Sequence, residues 1–78
     1  MQYCYMDEAD RLVAVIERIG NGRAASPVRW VLRWAPHQSA AGMEDSFYGD
    51  RWEAVARVRE VCPHAVVQGF NRRGERVR

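Results

Sequence analysis

Seventy-eight residues, 47% of them hydrophobic, suffice for one small domain with one core, and such a chain buries only roughly 60% of its unfolded surface. A net charge of +2 falls short of a dedicated nucleic-acid binder, and no run reaches the roughly 18 apolar residues of a membrane span. All twelve basic side chains are arginine, so every positive charge is a flat fork that grips carboxylates, phosphates or amide edges at two points.

Taken in chain order, Met1 to Tyr5 alternates bulky apolar and polar groups and predicts a short strand. Asp7 reads as a helix N-cap, with Glu8 and Asp10 in the first turn where the helix dipole favours negative charge. Ala9, Leu12, Val13, Ile16 and Ile19 share one side of a helical wheel, and Gly20 suits the C′ position. The spacing therefore predicts a helix over 8–19, although the β-branched content of Leu12–Ile19 also allows a strand. Asn21 to Pro27 is a loop. Val28 to Ala35 is the clearest strand, with Trp30, Leu32 and Trp34 on one face and Arg29, Val31 and Arg33 on the other. Pro36 stops it, and residues 36–49 read as a long loop that could be mobile. Asp50 caps a helix over 51–62, with Trp52, Val55, Ala56, Val58 and Cys62 as its apolar side and Glu53 at the capping-box position. Pro63 ends it. Ala65 to Phe70 is a strand, Asn71 to Gly74 a turn, and Glu75 to Arg78 a short returning edge strand.

The expected fold is a single compact α+β domain over 1–78 in the order β-α-β-α-β-β. Two amphipathic helices should pack on one face of a mostly antiparallel sheet of three or four strands. The opening residues lack the basic and apolar regions of a secretory signal, so Cys4 and Cys62 are expected as reduced core fillers. A homodimer is a natural way to hide leftover apolar surface, though nothing in the sequence demands it.

Signals for chemistry are weak. Cys4, His37, Cys62 and His64 are the available metal ligands, but no Cys-x-x-Cys pair exists and Cys62-Pro63-His64 is too tight for a zinc finger. A nucleophilic Cys62 would sit at the wrong end of its helix, where the negative dipole end raises a thiol pKa. Glu44 and Asp45, adjacent in a loop, read as a solvated acidic patch. Gly20-Asn21-Gly22 follows a helix rather than opening one, which argues against a phosphate loop. No cofactor, metal or catalytic residue is expected.

Binding is better supported. Charge is unevenly spread: Asp7, Glu8 and Asp10 crowd the start, while Arg72, Arg73, Arg76 and Arg78 crowd the end. Arg29, Arg33, Arg72, Arg73 and Arg76 are candidate anchors for an acidic partner surface, and Glu44 and Asp45 beside Phe47 and Tyr48 could meet a basic one. Nucleic acid ranks second as a partner: arginines near aromatics suit stacking platforms, but Trp30 and Trp34 are expected to point away from Arg29 and Arg33.

In length and organisation the chain resembles the small anti-CRISPR proteins that phages make against their hosts. The features that carry the resemblance are the Asp7–Ile19 helix, the Val28–Trp34 strand, the Asp50–Cys62 helix and the Ala65–Phe70 strand; no diagnostic motif accompanies them. The resemblance implies a non-enzymatic inhibitor in the cytoplasm of a bacterial host, where it would occupy the surface of a CRISPR effector ribonucleoprotein and block DNA recognition or nuclease recruitment. A small nucleic-acid-binding regulator that uses the C-terminal arginines is the alternative.

Overall fold

The computed structural model of the chain describes residues 2–70 and 76–77. Strands β1 (Gln2–Met6), β2 (Leu12–Ile19), β3 (Arg29–Trp34), β4 (Ser46–Tyr48), β5 (Val66–Phe70) and β6 (Arg76–Val77) form one sheet in the order β4-β3-β2-β1-β5-β6. All neighbouring strands are antiparallel. A single α-helix among the described residues, α1 (Arg51–Val61), lies on one face. The class is α+β, but with one helix and a larger sheet than the sequence predicts. The expected turn over 71–74, with Arg72 and Arg73, lies outside the described residues, as does the side chain of Arg76.

The predicted helix over 8–19 is corrected to a turn and a strand. Val13, Val15, Ile16 and Ile19 are β-branched, and such side chains fit a pleated surface better than a helix interior. The helical period that misled the reading has a local cause. Tyr5 pairs with Ala14 but Met6 pairs with Leu12, so the ladder slips and Val13 is left without a partner on β1. Val13, Ala14 and Ile16 are consequently all fully buried. A strict alternation broken by one bulge imitates a spacing of three to four residues.

Asp7 does cap, but it caps a hairpin. Its Oδ1 accepts hydrogen bonds from the backbone N–H groups of Ala9 at 2.8 Å and Arg11 at 2.9 Å, and Asp10 takes a left-handed φ of 62°. The Gly20–Gly22 segment, expected to stop a helix, opens the β2–β3 loop. Gly20 has φ +85°, and a Cβ there would lie 2.2 Å from the Pro27 carbonyl oxygen, so only glycine fits.

Residues 36–49 are not one open loop. His37 caps a short 3₁₀ turn over Gln38–Ala40, and Ser46–Tyr48 add β4 to the sheet edge. Asp50 caps α1 as predicted, its Oδ1 accepting from the Trp52 N–H at 2.9 Å. α1 then carries the chain from β4 across the β3-β2-β1 meander to β5 on the far side.

The core lies between α1 and the sheet. Ala54, Val55 and Val58 of α1 share one cluster with Tyr5, Val13, Ala14, Ile16 and Leu32, and Tyr3, Trp30, Trp34 and Tyr48 pack at its margin. Ile16 and Leu32 are cross-strand partners in the middle of the sheet, each fully buried and each contributing about 1.5–3 kcal/mol of burial. Two members of the predicted apolar side of α1, Trp52 and Ala56, face water instead. Trp52 lies roughly 100° around the helix from the Ala54–Val55–Val58 stripe, outside the sector the sheet covers.

Candidate functional site

The face of the sheet opposite α1 holds the candidate site. Period-two alternation that sends Trp30, Leu32 and Trp34 under α1 sends Arg29, Val31 and Arg33 to this second face. The register extends Val31 into a row: Phe47 pairs with Val31, Val31 with Glu17, and Glu17 with Gln2. An adjacent row carries Cys4, Val15 and Arg33. Arg29, Arg33 and Phe47, three of the anchors read from the sequence, thus meet on one surface.

Its electrostatics are simple. Arg29 and Arg33 are four residues apart on one strand face, about 13 Å along the chain. Arg29 is exposed and has no acidic partner among the described residues. The Arg33 guanidinium is 55% exposed and lies 3.5 Å from Glu17 Oε2, the same oxygen that accepts a 2.8 Å hydrogen bond from Gln2 Nε2. One carboxylate therefore serves two donors, and a positive excess remains. Phe47 is 62% exposed, whereas Val31 beside it is only 3% exposed. An apolar centre with an arginine rim is the anatomy of a protein-binding patch.

The other candidates go elsewhere. Tyr48 alternates to the α1 side, pairs with Trp30 and accepts a 3.0 Å hydrogen bond from the Ser46 hydroxyl. Asp45 Oδ1 accepts from the Trp34 N–H at 3.2 Å and so anchors the loop to β3. Glu44 lines a shallow cleft with Met43 and Arg57. Asp45 and Tyr48 line the same cleft, whereas Phe47 does not.

The four metal or nucleophile candidates are dispersed. Cys62 is buried at the α1 C-terminus, and its backbone N–H donates to the Val58 carbonyl. His64 Nδ1 lies 3.5 Å from Glu8 Oε1, both side chains being exposed. Cys4, expected in the core, is half-buried on the second face, and burial pushes its thiol pKa up, which weakens it as a nucleophile. Among the described residues, no group of three or more His, Cys, Asp or Glu side chains could hold a metal ion. No described helix is long and apolar enough to cross a membrane.

Two arrangements escaped the sequence. His37 Nε2 lies 2.7 Å from Asp7 Oδ2 while its Nδ1 accepts from the Ser39 N–H at 3.0 Å. Nδ1 therefore holds a lone pair, and the proton on Nε2 is donated to Asp7. That hydrogen bond, supported by those from Arg11 and Ala9, holds the Asp7 carboxyl below the usual carboxylate range. On the α1 side, the Arg51 guanidinium lies over two rings, 4.6 Å from the Tyr3 centroid and 4.5 Å from that of Trp52. The His37–Asp7 and Arg51–Tyr3 contacts have no short-range sequence signal, because only the folded topology brings those residues together; Trp52 is next to Arg51 in the sequence.

No family model matches the chain, no curated protein matches it in sequence, and no solved structure matches it in fold.

Proposed function

We propose that this chain is a binding protein without catalysis of its own, and that it acts by seating the Arg29–Arg33–Phe47 face on an acidic protein surface. The observation that carries the reading is the co-location on the sheet face opposite α1 of Arg29, which has no acidic partner among the described residues, a half-paired Arg33 and an exposed Phe47. Guanidinium forks favour planar carboxylate partners, and an exposed ring gives the patch an apolar centre. Among acidic assemblies, the reading commits to a bacterial CRISPR effector complex, which makes the chain an anti-CRISPR inhibitor. Small size, the arginine-only basic set and the Asp50-capped helix between strands support it. The Asp7–Ile19 helix no longer does, since that segment is turn and strand.

The test is direct. The purified chain is mixed with a multisubunit surveillance complex and, separately, with a single-chain effector nuclease, each loaded with guide RNA. Co-elution on size exclusion and loss of target-DNA recognition are expected with one of them, and both effects should vanish in the Arg29→Glu/Arg33→Glu double variant. Failure to co-elute with either class, together with intact interference in cells that express the chain, removes the proposal. Affinity for DNA alone that collapses as salt rises would point instead to the nucleic-acid regulator.

A further inference from the structure

Trp52 is the largest of the exposed apolar side chains among the described residues. Trp52 is 64% exposed, yet it is not loose, because one ring face rests on the Arg51 guanidinium. Arg51 also lies over the Tyr3 ring, and Tyr3 packs against Trp30 with ring centroids 6.2 Å apart. The stack runs from the core margin to the solvent, so Trp52 is presented in a fixed orientation. Binding through a pre-ordered ring costs little side-chain entropy.

Both rings lie close to the guanidinium carbon, and neither uses its N–H donors. Among the described residues, no carboxylate pairs with Arg51 and no hydrogen bond occupies its donors. A buried or crowded arginine usually finds such a partner within its own chain. Here the open fork lies next to an open indole face, which together suit a carboxylate flanked by an apolar side chain. The rim discriminates further. Glu53, exposed and unpaired among the described residues, sits beside Trp52, and Asp50 caps the same helix end. Two acids next to one arginine disfavour a polyanion such as nucleic acid, whereas a mixed-sign rim around an aromatic centre suits protein.

We propose that Trp52 and Arg51 form a second docking site, on the side of the sheet opposite Phe47, for a protein segment that pairs a carboxylate with an apolar side chain. It goes beyond the proposed function, because it needs no CRISPR complex and gives the molecule two independent contact surfaces.

The probe is the singly charged peptide acetyl-Leu-Glu-Leu-amide, titrated into the full ¹⁵N-labelled chain and followed at the Trp52 indole N–H and the Arg51 Nε–H. Saturable shifts at both are expected. Trp52→Ala should weaken binding at least tenfold, and Arg51→Lys, which keeps the charge but loses the fork and the stack, should weaken it comparably. Arg29→Glu/Arg33→Glu should leave it unchanged, which separates this site from the first. The helical far-ultraviolet signal confirms that each variant is folded. Shifts that fail to saturate, that persist in Arg51→Lys, that move to Arg29 and Arg33, or that appear equally with a lysine-for-glutamate peptide would overturn the proposal. So would a fifteen-residue oligothymidylate that outcompetes the acidic peptide at Trp52.

Discussion

His37 Nε2 donates to Asp7 Oδ2 at 2.7 Å, and this bond ties the β1–β2 turn to the segment that leaves β3, thirty residues away. Both ends of the pair are committed. Asp7 Oδ1 already accepts two backbone N–H groups, and His37 Nδ1 accepts a third from Ser39. Asp7→Asn cannot satisfy this network. If the amide oxygen stays on Ala9 and Arg11, the amide N–H₂ faces the His37 N–H; if the amide flips, its N–H₂ faces Ala9 and Arg11. Moving the imidazole proton to Nδ1 only transfers the conflict to Ser39. The substitution is therefore expected to lower the melting temperature by several degrees, while Glu53→Gln, which removes only an exposed first-turn charge of α1, changes it far less. Equal melting temperatures for the two variants would show that the pair is dispensable.

Acid should probe the same carboxyl. Its pKa is lowered in the folded chain relative to an ordinary value of about 4. The stability it confers is fully present above that ordinary value and is lost as pH falls through the lower, folded one. Denaturation curves from pH 6 to pH 2 should therefore fall more steeply below about pH 4 for the native chain than for Asp7→Asn. Parallel profiles would exclude a contribution from Asp7.

Gly20 and Gly22 offer a matched pair. Both have positive φ, so an alanine at either costs roughly 1–2 kcal/mol for the left-handed backbone. At Gly22 the added Cβ meets only Val28 Cγ2, at 3.7 Å, so the cost should stop near that figure. At Gly20 it meets the Pro27 carbonyl oxygen at 2.2 Å, and Gly20→Ala should cost distinctly more. Urea unfolding of the two variants gives the comparison directly.

The strand assignment of Leu12–Ile19 is testable at adjacent residues. Ile16 is fully buried under α1, whereas Val15 is half-buried on the second face. Ile16→Ala should cost about 2–5 kcal/mol and Val15→Ala well under half as much. A helix over 8–19 would group Ile16 with Ala9 and Leu12, both of which are exposed here. Ala9→Ser and Leu12→Ser should accordingly be tolerated.

The two thiols should report the two sides of the sheet. Cys4 is half-buried on the second face and Cys62 is buried under α1. A disulfide reagent should modify one thiol per chain in a first phase that Cys4→Ser removes. Because burial raises the Cys4 pKa, that phase should be slow at neutral pH and accelerate above about pH 9. A first phase that survives Cys4→Ser would reverse the assignment of the faces.

Much of this architecture is written locally. Asp50, the 51–61 register and Pro63 delimit α1, and the Arg29–Trp34 alternation separates core from surface within six residues. Both signals depend on residues a few positions apart. The 8–19 segment failed because one bulge turned a two-residue period into something close to a helical one, and the bulge depends on how Met6 pairs with Leu12 across a turn. Trp52 failed for another reason: its exposure is decided by how far the sheet extends beneath α1, which no wheel of α1 alone can show. Of the candidate binding residues, Arg29, Arg33 and Phe47 converge through β3–β4 pairing, whereas Tyr48 departs because neighbouring strand residues face opposite ways.

Strand β1 has its nearest neighbour in sequence, β2, on one side, and on the other it has β5, with Gln2 paired to Phe70. The first pairing closes a short turn; the second closes almost the whole chain and waits on α1 crossing the meander. Loop-closure entropy orders these events, so the three-stranded meander should assemble early and β5 should add last and leave first. Amide exchange under native conditions would then find β5 protons faster than those of the β1–β3 meander, and the seam beside β1 would be the last of the interior ones to close.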